Sequence, residues 1–335
     1  MTHNNTSRVI LVTGGAGYLG SRLIRDMAND PALADCTIRI FDNLQRETYA
    51  TLLDLPPGGR YQFIEGDILD NLGVRRALQG VWAVVHMAAI VRTPLSFGPT
   101  GWIEQVNHWG TANLAGAAIQ AGVQHMVYVS SAAVYGPIDN VGGPAPADPR
   151  AFNENDVCRP VGLYAESKLR GERQLARMGD RSMTVTMLRM APVFGLAPAV
   201  RFDAVANRFA YLASIHRPLT VYGDGQQVRP QLHVSDASAA IRFALVHAQQ
   251  MAGETYNVLA ENTSILALAE AVQTLRPGTD VRYTEQDVLT HLSYAIDGSK
   301  INALGWYPQV SLEVGLVELL EHMQGFQPFR SVEVF

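Results

Sequence analysis

At 335 residues, with 47% hydrophobic and 17% charged, the chain has the length of about two domains or one large α/β unit and is too apolar for a disordered protein. Its formal charge of −5 and pI near 6.0 offer no wide cationic field for nucleic acid or anionic lipid, so any phosphate site has to be local. Two cysteines, Cys36 and Cys158, exclude a disulfide framework or a multi-cysteine zinc cage, and with a polar N-terminus that lacks a signal peptide they point to the cytoplasm.

The first predicted strand covers residues 9–12 and runs into Thr13-Gly14-Gly15-Ala16-Gly17-Tyr18-Leu19-Gly20, which opens a helix over 19–29. Strand, glycine turn and helix in that order form a phosphate cradle: glycine lets the backbone turn and approach a pyrophosphate, and the helix N-terminus receives the anion. The second strand, 38–41, ends at Asp42. A carboxylate about 20 residues beyond the last glycine can accept the hydrogen bonds of an adenosine ribose and repel a 2′-phosphate, which favours NAD over NADP. The alternative is a solvated strand-end acid. A third strand, 61–64, leads to Asp67, where an adenine edge or a helix N-cap are both reasonable partners.

A helix over 72–79, a strand over 81–86 and an alanine-rich helix over 101–121 follow, then strands at 126–130 and 185–189 that flank a helix over 163–177. Near-continuous apolar strands alternating with helices predict a parallel sheet covered on both faces, a doubly wound α/β (Rossmann) fold. The longest apolar run, 81–91, is interrupted by His86 and falls short of the ~18 residues of a membrane span. Residues 137–160, rich in Pro, Gly, Asp and Asn, read as a long loop. Beyond 195 the pattern weakens, with helices at 202–214, 235–249, 265–275 and 312–323 and strands at 219–222 and 254–258. The simplest division is a nucleotide-binding domain over 1–190, joined by parts of 228–258, and a smaller, interleaved α/β C-terminal lobe over 191–335.

Tyr164 and Lys168 stand four apart on a predicted helix, hence on one face. A phenol with a pKa near 10 is a poor base at neutral pH, and a neighbouring ammonium favours its ionised form, so Tyr164 can act as general acid/base toward a carbinol. Ser131, at a strand end, can hold the same oxygen. An exposed helix pair and an ordinary strand-end serine are the alternative. His86, His108, His216, His233, His247 and His291 show no paired metal-ligand spacing, which speaks against a metal site, and His233 reads as the start of a helix-capping turn before Asp236.

Taken together, the glycine loop, Phe41-Asp42-Asn43, Gly66-Asp67-Ile68, His86-Met87-Ala88-Ala89, Asn107-x-x-Gly110-Thr111, Ser130-Ser131-Ala132-Ala133-Val134-Tyr135-Gly136, Tyr164-x-x-x-Lys168, Leu188-Arg189 and, later, Tyr222-Gly223-Asp224-Gly225 with Arg229 resemble an extended short-chain dehydrogenase/reductase of the NAD-dependent nucleotide-sugar epimerase/dehydratase family. The resemblance runs nearly end to end. It implies that Ser131, Tyr164 and Lys168 form the catalytic triad. It also implies that Gly14, Gly17, Tyr18, Leu19, Gly20, Asp42, Asn43, Asp67, Ile68, Ala88, Ala89, Asn107, Tyr164 and Lys168 meet the NAD cofactor, and that Val91, Arg92, Ser131, Pro192, Arg201 and Arg229 meet a nucleotide-sugar substrate. Of these, Arg229 would grip the diphosphate, and Arg92 and Arg201 could meet an anionic sugar substituent. A homodimer paired through the helices over 101–121 and 163–177 is also expected.

Some positions depart from the family. Members that eliminate water carry an acid pair where Ala132 and Ala133 stand, which points to oxidation and reduction at one carbinol, the 4-epimerase type of chemistry. Pro192 replaces an asparagine expected on the phosphates, and no arginine occupies 283–299, where a second phosphate-gripping arginine is expected shortly before Asp297. Those two departures favour, as the alternative, net oxidation or reduction of a smaller hydroxy or keto compound.

Overall fold

The computed structural model describes residues 8–91, 100–137, 150–178, 183–285 and 293–325. Seven parallel strands form its central sheet: β1 (Val9–Thr13), β2 (Thr37–Asp42), β3 (Arg60–Glu65), β4 (Val81–His86), β5 (His125–Ser131), β6 (Thr184–Met190) and β10 (Thr255–Val258). Their order is β10-β6-β5-β4-β1-β2-β3. The order reverses between β1 and β4, and the crevice beyond the carboxyl ends of these two strands is where an open α/β sheet takes its ligand.

Both faces of the sheet are covered because successive strand residues point to opposite sides. Ile10, Val12, Ile38 and Ile40 pack on one face against α1 (Tyr18–Ala28) and α7 (Val234–Val246) through Leu23, Ile24, Met27, Ala240 and Ile241. Leu11, Val84 and Met126 pack on the other against α2 (Asn71–Ala77), α4 (Thr111–Gln120) and α5 (Leu163–Met178). The helix expected over 101–121 is continuous in path but not in winding: α3 (Thr100–Glu104) passes into a single π turn, Gln105–Gly110, before α4 begins. An extra residue per turn at that point redirects Asn107, with consequences for the site.

The second lobe is built on β7 (Val193–Phe194), β9 (Val228–His233) and β11 (Glu261–Ser264), with β8 (Leu219–Tyr222) paired to β12 (Val281–Thr284). The helices α6 (Val205–Ser214), α8 (Ile265–Leu275) and α10 (Leu312–His322) enclose Phe194, Phe209, Leu219, Leu268 and Leu316 as a separate core, and a short α9 (Ser299–Asn302) precedes α10. The two lobes share segments, since α7 covers the large sheet and β10 forms its edge. No helix among the described residues is long and apolar enough to cross a membrane. Half of the loop expected over 137–160, residues 138–149, lies outside the described residues.

Candidate active site

The carboxyl ends of the sheet and the second lobe enclose a cleft of about 780 Å³. Its first wall is backbone. The Gly14 amide donates to the Phe41 carbonyl at 2.9 Å, and Gly14 turns the chain at φ 71°, where a Cβ would stand 2.8 Å from the Ala88 nitrogen. A Cβ at Gly20 would collide with the Gly14 carbonyl oxygen. Both glycines are therefore demanded by close packing between the turn, α1 and the strand end of β4, and they leave Gly17, Tyr18 and Leu19 lining the cleft at the N-terminus of α1. The Tyr18 hydroxyl itself is turned away and donates to the Gly195 carbonyl at 2.7 Å.

Asp42 closes β2 and also lines the cleft. Its carboxylate accepts from the Ala16 amide at 3.0 Å and the Leu44 amide at 2.9 Å, so its orientation is set by the glycine turn itself. Burial pushes its carboxyl up from the usual range, and the two amides and Arg46 oppose that shift. Asp67 accepts from the Asn43 amide at 2.9 Å and from the Leu69 backbone, while Asp70, not Asp67, caps α2. Both Asn43 and Asp67 line the cleft with Ile68.

The adjoining segment Met87, Ala88, Ala89, Ile90 and Val91 is positioned from below by an uncharged relay. Thr111 donates to the Asn107 carbonyl at 2.7 Å, so at 2.9 Å its oxygen takes the proton of His86 Nε2, and His86 Nδ1 accepts from the Thr13 hydroxyl at 2.8 Å. Thr13 in turn accepts from the Met87 and Ala88 amides. Burial pushes His86 down to about 3, with Lys168 adding to the shift. Asn107 is 1% exposed and does not line the cleft. Its amide clamps Ile90 from both sides, accepting at 2.8 Å and donating at 3.0 Å, and donates to Ser167. The π turn places it behind the wall, where it fixes the backbone that the cofactor would touch.

Ser131, Tyr164 and Lys168 meet at the floor. The 3₁₀ turn after β5 exposes Ser131, whose oxygen accepts from the Ala133 amide at 3.2 Å and hydrogen-bonds the Tyr164 phenol. Burial raises the Tyr164 pKa, while Arg201 and then the Ser131 bond oppose the rise. Arg201 from the second lobe is thus a cation that acts on the phenol. Lys168 is 3% exposed, and its ammonium donates to the Val129 carbonyl at 2.8 Å and lies 4.9 Å from the Tyr128 ring centroid. Burial pushes Lys168 down to about 8, and Glu172, one turn along α5, opposes that shift. Glu172 accepts from Ser130 at 2.5 Å and takes Arg189 at 2.7 Å, tying the end of β5 to α5 and β6.

The second wall is made of side chains. Pro192, Arg201 and Arg229 all line it, while Val91 lines the cleft from the opposite strand end. Arg201 is committed to Asp203 through two hydrogen bonds of 2.9 and 2.8 Å. The Arg229 guanidinium lies 4.9 Å from the ring centroid of Tyr294, a cleft residue that sequence reasoning missed. Its signal was present in the sequence, three places before Asp297 in the interval expected to hold an arginine. Arg92 and His291 lie outside the described residues. His233 caps α7, its Nδ1 being 2.6 Å from the Ser235 hydroxyl, and burial pushes the Cys158 thiol up.

The close-packed glycines, the N-terminus of α1 and the carboxylate of Asp42 fit a dinucleotide without a 2′-phosphate. Residues 10–258 match the model of the NAD dependent epimerase/dehydratase family. The chain is 30% identical over 341 residues to the mouse dTDP-D-glucose 4,6-dehydratase, covering 97% of this chain and 91% of that protein. Among solved structures it is similar to DesIV, a dTDP-glucose 4,6-dehydratase from Streptomyces venezuelae with NAD and TYD bound (TM-score 0.81, 29% identity, 93% and 96% of the two chains). It is also similar to MoeE5 in complex with UDP-glucuronic acid and NAD (TM-score 0.78, 26% identity, 93% and 97%). The chain belongs to the NAD dependent epimerase/dehydratase family, and NAD is its cofactor.

Proposed function

We propose that the protein epimerises a nucleotide sugar at C4 through a transient 4-keto intermediate. The observation that carries this reading is the floor of the cleft: one acid/base group, the Tyr164 phenol hydrogen-bonded to Ser131, and beside it alanines at 132 and 133, of which Ala133 lines the cleft. NAD, when bound, supplies a hydride acceptor that can return the hydride. Tyr164 takes the proton of the C4 hydroxyl and later gives it back, and Ser131 holds the same oxygen in place. Lys168 and Arg201 supply positive charge that favours the ionised phenol. Elimination of water across C5 and C6 needs a further acid and base, and two methyl groups transfer no proton. The dehydratases among the relatives share the fold, but alanine at 132 and 133 argues against their reaction here.

The test is to incubate the protein with a panel of nucleotide sugars in deuterated water and follow the anomeric protons by NMR. A new anomeric signal with no deuterium at C5 is the expected result. Deuterium at C5 would assign dehydration or C3/C5 epimerisation instead. Pro192 and the absence of an arginine over 283–299 favour a second reading, net oxidation or reduction of a smaller hydroxy or keto compound, which would show as stoichiometric NADH released into solution.

A further inference from the structure

Behind the floor of the cleft lies a buried carboxylate that the proposed chemistry leaves unused. Glu172 is 4% exposed, does not line the cleft, and stands on α5 one turn beyond Lys168, on the same helix face. It accepts from the Ser130 hydroxyl at 2.5 Å and from Arg189, through Nε at 3.1 Å and Nη2 at 2.7 Å. Arg189 is held in turn, because its Nη1 donates to the Tyr135 hydroxyl at 2.9 Å and that hydroxyl donates to Asn257 at 2.7 Å. Ser130 is the middle one of three consecutive β5 residues that build the floor. Before it, the Val129 carbonyl accepts from the Lys168 ammonium at 2.8 Å; after it, Ser131 hydrogen-bonds the Tyr164 phenol. Tying Ser130 to Glu172 therefore steadies both neighbours, which share its backbone.

An ammonium in a dry pocket sheds its proton unless a counter-charge holds it. The groups that face Lys168 from other elements are neutral: the Tyr128 ring from β5, whose centroid is 4.9 Å from Nζ, and His86 from β4. Tyr164, on its own helix, is the phenol that the ammonium is meant to assist. Glu172 is the carboxylate whose charge reaches Lys168, and Arg189 from β6 is the cation that faces Glu172. We infer that Glu172 is a positioning residue for the reaction: its charge keeps the Lys168 ammonium protonated, and its grip on Ser130 and Arg189 holds the strand end that presents Ser131 to Tyr164. This rests on the reading of Tyr164 as the acid/base. Because the carboxylate is engaged by Ser130 and Arg189, it acts on Lys168 through its field, and the ammonium keeps its donors for the Val129 carbonyl and the cleft that it lines.

The chain holds two lysines, Lys168 and Lys300, so protein carrying an isotopic carbon label at the lysine Cε gives two NMR signals, which Lys300→Arg assigns. The experiment follows the Lys168 signal against pH in the NAD-loaded protein without substrate. In Glu172→Gln the ammonium is expected to lose its proton at a pH lower than in the wild type by about half a unit or more, and turnover to fall by about tenfold or more with NAD still bound. In Glu172→Asp, which keeps the charge, the Lys168 titration is expected within about half a unit of the wild type. A shift below about half a unit in Glu172→Gln overturns the inference, as does wild-type turnover in that variant or an equal shift in Glu172→Asp. If Glu172→Gln does not fold, Glu172→Leu combined with Arg189→Met replaces the ion pair by apolar groups of similar size, and the same criterion applies. No substrate enters the titration, so its outcome is separable from the reaction assigned to the cleft. The expected shift in a protein whose wild type epimerises no nucleotide sugar would sink the 4-epimerase reading and leave the support of Lys168 standing; an absent shift in an active epimerase would do the reverse.

Discussion

The two walls of the cleft are built from different materials. On the sheet side the polar groups are backbone amides and side chains tied to backbone: Asp42 to Ala16 and Leu44, Asn107 to Ile90, Thr13 to Met87 and Ala88. On the second-lobe side they are the ends of long side chains, Arg201 on Asp203 and Arg229 over Tyr294. A wall made of backbone has one shape, fixed by glycine packing and strand register, and suits a ligand that never changes. A wall made of side chains can be rewritten one residue at a time without disturbing the sheet. NAD is the feature this chain shares with its relatives.

Removing chemistry where the two walls meet has the largest expected effect. Tyr164→Phe deletes the only proposed acid/base, and turnover should fall by between about a hundred- and ten-thousandfold with NAD still bound. A variant with wild-type turnover would remove the mechanism. The walls are then separable by two substitutions measured with two ligands. Arg229→Met should weaken nucleoside diphosphate binding by at least about thirtyfold, because it strips the charge from the second wall, and should change NAD affinity by less than about twofold. Asp42→Ala should do the converse, lowering NAD affinity by about tenfold and leaving nucleoside diphosphate binding as it was. If either substitution moved both ligands equally, the two walls would be one coupled site and the contrast would fail.

That contrast also explains what could be read from the sequence. The glycine turn and Asp42 were legible because their spacing is dictated by local backbone geometry, strand into turn into helix, within one short stretch. Tyr164 and Lys168 were legible because helical periodicity puts them on one face. That Arg201 acts on the Tyr164 phenol was not legible, since it depends on how the second lobe folds over the sheet. Strand β9 was missed because Pro230 interrupts its pattern, and proline is expected at strand edges. Here β7 pairs only with Leu232 and His233, so at Pro230 the strand has a ladder neighbour on one side alone, Asn262 of β11. Asn107 was placed on the correct helix, but a single π turn redirected it to Ile90, and nothing in the pattern of that alanine-rich stretch signals a change of winding.

The smallest expected effect concerns the support beneath the first wall. His86 is 1% exposed and sits in a relay whose donors and acceptors are satisfied only by a neutral ring: Thr111 has given its proton to Asn107, so Nε2 must donate and Nδ1 must accept. Its pKa of about 3 lies below the ordinary 6.5 of an unfolded histidine, so below pH 6.5 the unfolded chain takes up a proton that the folded chain refuses. Stability from this residue is therefore complete above pH 6.5 and is lost progressively as pH falls toward 3. Between pH 7.5 and 6 the loss should be roughly 1 kcal/mol, and His86→Gln, which can bond both threonines without titrating, should be less sensitive by that amount in urea unfolding at the two pH values. An identical pH slope in the variant would mean that His86 already carries a proton in the fold. The first wall would then rest on a buried charge, as the second does, and would lose the uncharged character that distinguishes it.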